Sequence, residues 1–166
     1  PRRTIVRQMA ISMHIDQLLH KANRCLKAGS LESAALHLEA VLRQTPSHQD
    51  ALHLLGMIHH LTGSHAIAKQ MISRALELKP DSAKFQESLG EVHFALSEFD
   101  QAERCQHRAL ALNPNNAQGW YLLGKVSEAR NEIQQAAAYF EKAIKLDPLH
   151  ASAIYKIAMT HYRAKR

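Results

Sequence analysis

The sequence predicts an all-α fold, an array of stacked two-helix units. Three observations predict it. Ala, Leu, Gln, Glu, Lys and Arg dominate while β-branched residues are sparse, a composition that favours helix. Prolines at 46, 80, 114 and 148 recur every 34 residues. The rows they delimit carry the same small residues in the same columns, and self-similarity at a fixed period marks a repeat architecture.

Written in rows of 34, the chain begins with a basic extension at 1–14, in which Ile5, Met9 and Met13 share a helical face. Four complete rows follow at 15–48, 49–82, 83–116 and 117–150, and 151–166 reads as the first helix of a fifth repeat or a capping helix. Gly56, Gly90 and Gly124 form one column, with Ala22 and Ala158 at its ends. Ala34, Ala68, Ala102 and Ala136 form a second. Val41, Ala75, Ala109 and Ala143 form a third, and Leu55, Leu89, Leu123 and Ile157 a fourth. Small residues at fixed positions let two backbones approach closely.

Each row reads as two helices. The stretch ALHLLGMIHHL at 51–61 has apolar residues at helical spacing on two sides, as a helix packed between two neighbours requires. Breaks follow at 27–30, 61–64, 95–98 and 128–131, where Gly29, Gly63 and Asn131 suit a left-handed helix ending. The second helix then runs to the proline, which stops it. Ser47, Asp81 and Asn115, directly after the prolines, are the expected N-caps of the next helix. The final helix is expected to turn Ile154, Ile157 and Ala158 to the preceding row. Tyr155, Met159 and Tyr162 then lie on other faces, so either more chain is expected to follow or another molecule to cover this end.

This pattern resembles the tetratricopeptide repeat (TPR) family, whose 34-residue unit carries W-x2-L-G, two Ala columns, an aromatic and a Pro. Row 117–150 matches most fully, with Trp120, Leu123, Gly124, Ala136, Phe140, Ala143 and Pro148. The pentatricopeptide pattern has a longer period and lacks these residues. The resemblance implies a right-handed α-solenoid in which the first helix of each row lines a concave groove, with the repeated columns as scaffold.

Function then falls to columns that vary. Read at 34-residue intervals, one column is Leu19, His53, Glu87, Tyr121 and Tyr155. The next is Asn23, Met57, Glu91, Lys125 and Met159. Two more are His20, Leu54, Ser88, Leu122, Lys156 and Leu26, His60, Phe94, Glu128, Tyr162. An apolar and aromatic lining rimmed by charge suits a peptide segment or partner protein. The binding residues this predicts are Leu19, Asn23, His53, Leu54, Met57, His60, Lys84, Glu87, Glu91, Phe94, Tyr121, Leu122, Lys125 and Tyr155. The family's carboxylate clamp, which holds the C-terminus of heat-shock chaperones, finds only Asn23 and Lys84 among Leu19, Asn23, Leu54, Lys84 and Ser88. It finds none of its residues among His53, Met57, Ser88, Gln118 and Leu122. A carboxylate needs several convergent donors to offset its desolvation, so the clamp is not expected. The Asn ladder of O-linked N-acetylglucosamine transferase is also missing from its column.

The remaining features exclude more than they assign. Six of the 21 Lys and Arg residues lie at the ends (Arg2, Arg3, Arg7, Arg163, Lys165 and Arg166), so 15 basic residues balance 15 acidic ones between 8 and 162. Phosphate binding needs a continuous basic track, so specific nucleic-acid binding is not expected. Cys25 and Cys105 stand alone without a CxxC, and no apolar run approaches a membrane span. A cytoplasmic location is the expectation. His59, His93 and His161 share a column with Cys25 and Ser127, which marks them as packing residues. His53, His59, His60 and His65 form no HExxH, and neither a metal nor a cofactor is expected. There is no GxGxxG, GxxxxGK[ST] or GxSxG, so the chain is not read as an enzyme. The leading expectation is a protein-interaction module. The alternative is the recognition or oligomerisation region of a larger enzyme, such as a bacterial glycosyltransferase or sulfotransferase. Self-association through the last helix is a further partner expectation.

Overall fold

A computed structural model describes the backbone of residues 2–164 and the side chains of 9, 11–160 and 162. The basic ends (Arg2, Arg3, Arg7 and Arg163 as side chains, Lys165 and Arg166 altogether) therefore lie outside the described residues. So do the side chains of Ile5 and His161. The described residues form nine helices and no strand. They divide into two compact units, Pro1–Pro80 and Asp81–Arg166.

The first unit holds α1 (Arg2–Lys27), α2 (Leu31–Gln44), α3 (Gln49–Leu61) and α4 (His65–Leu78). From Arg2 onward, α1 runs without interruption through the rest of the basic extension. Its core gathers Leu18 and Ala22 from α1, Ala34, Leu38 and Val41 from α2, and Ala51, Leu55 and Ile58 from α3. The second unit holds α5 (Ala83–Ala95), α6 (Phe99–Leu112), α7 (Ala117–Ala129), α8 (Ile133–Leu146) and α9 (Ala151–Ala164). Helices pair as α1 with α2, α3 with α4, α5 with α6 and α7 with α8, while α9 packs on α8.

The repeated columns explain the pairing. Every member of the two alanine columns is buried. At Gly56 a Cβ would fall 2.7 Å from Ile72 Cγ1, and at Gly90 and Gly124 it would strike Gln106 and the Phe140 ring. The second, third and fourth rows thus each seat one large side chain of the second helix against a glycine of the first. The helix breaks match their expected chemistry: Gly29, Gly63 and Asn131 have φ of 73°, 84° and 63°. Ser97 supplies the same conformation in the third row at φ 59°.

Two expectations need correction. The N-caps are not Ser47, Asp81 and Asn115 but the residues after them. His48 accepts from Ala51 N, Ser82 from Phe85 N and Asn116 from Gly119 N, each at 3.3 Å. His150 does the same for Ala153 N. Pro and its successor are spent as the middle of a β-turn, closed by His48 N to Thr45 O, Asn116 N to Asn113 O and His150 N to Asp147 O. The extended residue that follows is the one free to cap. In α9, Ala153 and Thr160 are buried and Ile157 half-buried, whereas Ile154 and Ala158 are exposed. Ile154 and Ala158 therefore do not meet the preceding row. They occupy the side on which α1, α3, α5 and α7 receive their second helices.

Candidate binding face

In the first unit the variable columns fall on α1 and α3. Asn23 is exposed and turns back to donate to Leu19 O of its own helix. Leu19, Leu54 and Met57 are half-buried. His53, at 2% exposure, is buried rather than part of an open lining. His60 lies against His65 of α4, Nδ1 to Nδ1 at 3.2 Å, which places this pair at the turn between the two helices.

In the second unit the same columns build a connected face on α5, α7 and α9. The Lys125 ammonium of α7 lies 4.3 Å from the centre of the Phe94 ring of α5 and 5.9 Å from that of Tyr121. Tyr121 lies against His150, with centroids 4.9 Å apart and the rings tilted by 40°, and has Phe140 beneath it at 5.8 Å. Gln118 donates to Glu91 Oε1 at 3.3 Å and meets His150 Nε2 through its own oxygen at 3.1 Å. Glu87 accepts from Asn116 Nδ2, and Lys156 of α9 pairs with Glu128 of α7. Lys84 and Tyr155 are exposed, Tyr155 at 63%. Leu122, at 4% exposure, lies under the face.

Burial sets the electrostatics. It pushes the Glu87 carboxyl up, with the Asn116 hydrogen bond opposing the shift. It pushes the Lys125 ammonium down, with Glu91 opposing. Among the described residues no carboxylate lies within ion-pair distance of Lys125. Its donors are held on an aromatic shelf.

Asn116, Gln118, Glu128, His150 and Lys156 take part without being among the sequence-predicted site residues. Asn116 and His150 sit two residues after a proline, and that position was the signal. Their partners lie 29 and 32 residues away, across helices. In the histidine column, His93 joins Glu98, bracing the α5–α6 turn, and Ser127 is buried. Among the described residues no group of three or more His, Cys, Asp or Glu could hold a metal ion. No described helix is long and apolar enough to cross a membrane.

Two family models described as tetratricopeptide repeat match the chain, one over 26–90 and the other over 88–151 and 127–166. No curated protein sequence matches it. Among solved structures it is similar to MamA, at 26% identity over 87% of this chain and 84% of that one, with a TM-score of 0.75. It is similar to PilF of Pseudomonas aeruginosa, at 22% identity over 94% and 71% of the two chains, with a TM-score of 0.84. It is also similar to the O-GlcNAc transferase of Thermobaculum terrenum, at 25% identity and a TM-score of 0.79, over 84% of this chain but 28% of that one. Repeats paired glycine against bulky side chain, and family matches that together run from 26 to 166, agree. The chain belongs to the tetratricopeptide repeat family and is an all-α solenoid-class scaffold for protein interaction.

Proposed function

We propose that this scaffold binds a peptide segment or partner protein on the α5–α7–α9 face of its second unit. The observation that carries the reading is Lys125, a half-buried cation resting on Phe94 and Tyr121, on which Glu91 and Glu128 act only through space. Burying an ammonium costs free energy unless something returns it, and a ligand carboxylate would do so. Tyr155 and Phe94 add apolar contact, with Glu87 and Glu91 fixing register by repelling a misplaced acid. Leu19, Asn23, Leu54, Met57 and His60 form the corresponding surface of the first unit.

A peptide-array screen followed by titration tests this. Phe94→Ala and Tyr121→Ala should each weaken the selected peptide by about 2 kcal/mol, as truncated aromatic anchors do. Lys125→Met should weaken an acidic peptide and spare a neutral one. Unchanged affinity, with a melting temperature lowered as far as by a core truncation, would place these residues in the core and end the proposal.

A second reading is that these rows are the recognition region of a larger enzyme. The similarity to the Thermobaculum terrenum O-GlcNAc transferase favours it. Sequencing the gene on both sides of this segment tests it: an adjoining transferase domain supports the reading, and flanks without one remove it.

A further inference from the structure

We infer that His48 and His150 are acid-releasable helix caps: protonation uncaps α3 and α9 and leaves α5 and α7 capped. This does not rest on the proposed peptide face. The four caps share one column at 34-residue intervals, His48, Ser82, Asn116 and His150. Each accepts from the backbone N–H three residues on, at 3.3 Å in every case. The hydroxyl of Ser82 and the amide oxygen of Asn116 do not titrate in the range where histidine does. An imidazole accepts only while Nδ1 is bare, and a proton there turns the acceptor into a donor. One column of the repeat thus holds two caps that ignore acid and two that acid removes.

At His150 the neighbours fix the tautomer. Glu91 is a carboxylate, so Gln118 turns its amide nitrogen to Glu91 and its oxygen to His150 Nε2. Nε2 therefore carries the proton of the neutral ring, and Nδ1 is left to receive Ala153 N–H. A second proton leaves the Gln118 bond in place, so the ring stays and two N–H groups face each other. His150 also lies against Tyr121, so this uncapping acts at the edge of the α5–α7–α9 face. A cation at a helix N-terminus opposes the helix dipole as well. The charged groups around His48 are Arg43 in the last turn of α2, Asp50 in the first turn of α3, and Arg74 of α4, which donates to Pro46 O. Around His150 they are Glu91 of α5 behind Gln118, and Lys125 of α7 beside the titratable Tyr121. Lys145 and Asp147 stand at the end of α8, and Lys156 of α9 is paired with Glu128. These groups bear on where each ring takes up its proton, and the cap is lost wherever that falls.

Amide NMR on the full chain tests this. Between about pH 7.5 and about pH 5, the Ala51 and Ala153 N–H signals should shift in step with the ring signals of their own histidine. Exchange at both amides, corrected for the intrinsic effect of pH, should become about fivefold faster, the factor that a lost N-cap gives. The Phe85 and Gly119 amides should keep their protection. His48→Asn and His150→Asn install the cap that Asn116 already provides, and each should abolish its own response while leaving the other. His150→Ala should loosen Ala153 at both pH values. Unchanged protection at Ala51 and Ala153 in acid would overturn the inference, as would a response that survives the Asn variants. So would a His150→Ala chain as well protected as the native one. Equal loosening at Phe85 and Gly119 would also overturn it, by tracing the change to acid acting on the fold as a whole.

Discussion

The two units use the same two-helix row and put it to different chemical ends. In the first, α3 receives Ile72 at Gly56, His53 is buried, and the described hydrogen bond at Asn23 stays within its own helix. In the second, Glu87 reaches Asn116, Glu91 reaches Gln118, Gln118 reaches His150, and Glu128 reaches Lys156. Beneath them Gln106, buried against Gly90, takes the place held by Leu38, Ile72 and Phe140 in the other rows. Its amide donates to Glu87 O at 3.0 Å while Oε1 finds no partner among the described residues. The comparison teaches that the repeat sets where a side chain stands, and that neighbours one row away decide what it can do.

The largest test of that equivalence is core truncation in each unit. Phe140→Ala should cost about 3–5 kcal/mol and Ile72→Ala about 2–5 kcal/mol by denaturant unfolding. Phe140→Ala should in addition loosen Tyr121, whose ring it supports at 5.8 Å, and so weaken a bound peptide. Loss of binding from Ile72→Ala as well would mean that the two units do not act separately.

Next come the glycines. Gly124→Ala drives a Cβ into the Phe140 ring, and overpacking outweighs the better helix propensity of alanine, for a net loss of about 1–2 kcal/mol. Gly90→Ala meets first the terminal amide of Gln106, which can turn aside, and should cost less. Equal losses at the two would show that Gln106 is as fixed as an aromatic ring.

Gln106→Leu should stabilise the second unit by about 1 kcal/mol, since it removes a buried acceptor that has no donor. A loss of stability would mean that its bond to Glu87 O outweighs that orphan oxygen.

The smallest expected effect is at Glu87. Burial raises its folded pKa, so between the ordinary carboxylate value and the raised one the folded state binds more protons than the unfolded. Stability therefore falls as pH rises through that window, and the cost persists above it. Glu87→Gln keeps an acceptor for Asn116 and should melt about 1–2 °C higher at neutral pH, with the gap closing below the ordinary carboxylate range. A gap that widens in acid would reverse the sign assigned to burial.

Much of the scaffold was legible from the sequence. Proline spacing, the small-residue columns and the left-handed positions at Gly29, Gly63 and Asn131 are local or periodic signals, and backbone sterics read them the same way in every row. The caps slipped by one residue because a β-turn claims Pro and its successor, a competition that residue preference alone does not show. The proposed binding face was legible only as a set of columns. That His53 and Leu122 are buried, that Lys125 rests on Phe94, and that Ile154 and Ala158 stand open depends on contacts between different helices. Side-chain pairing energies across that distance are set by packing, burial and local dielectric, and only the tertiary structure fixes those. The sequence by itself determined the repeat; the fold decided which varied residues face each other and which stay exposed.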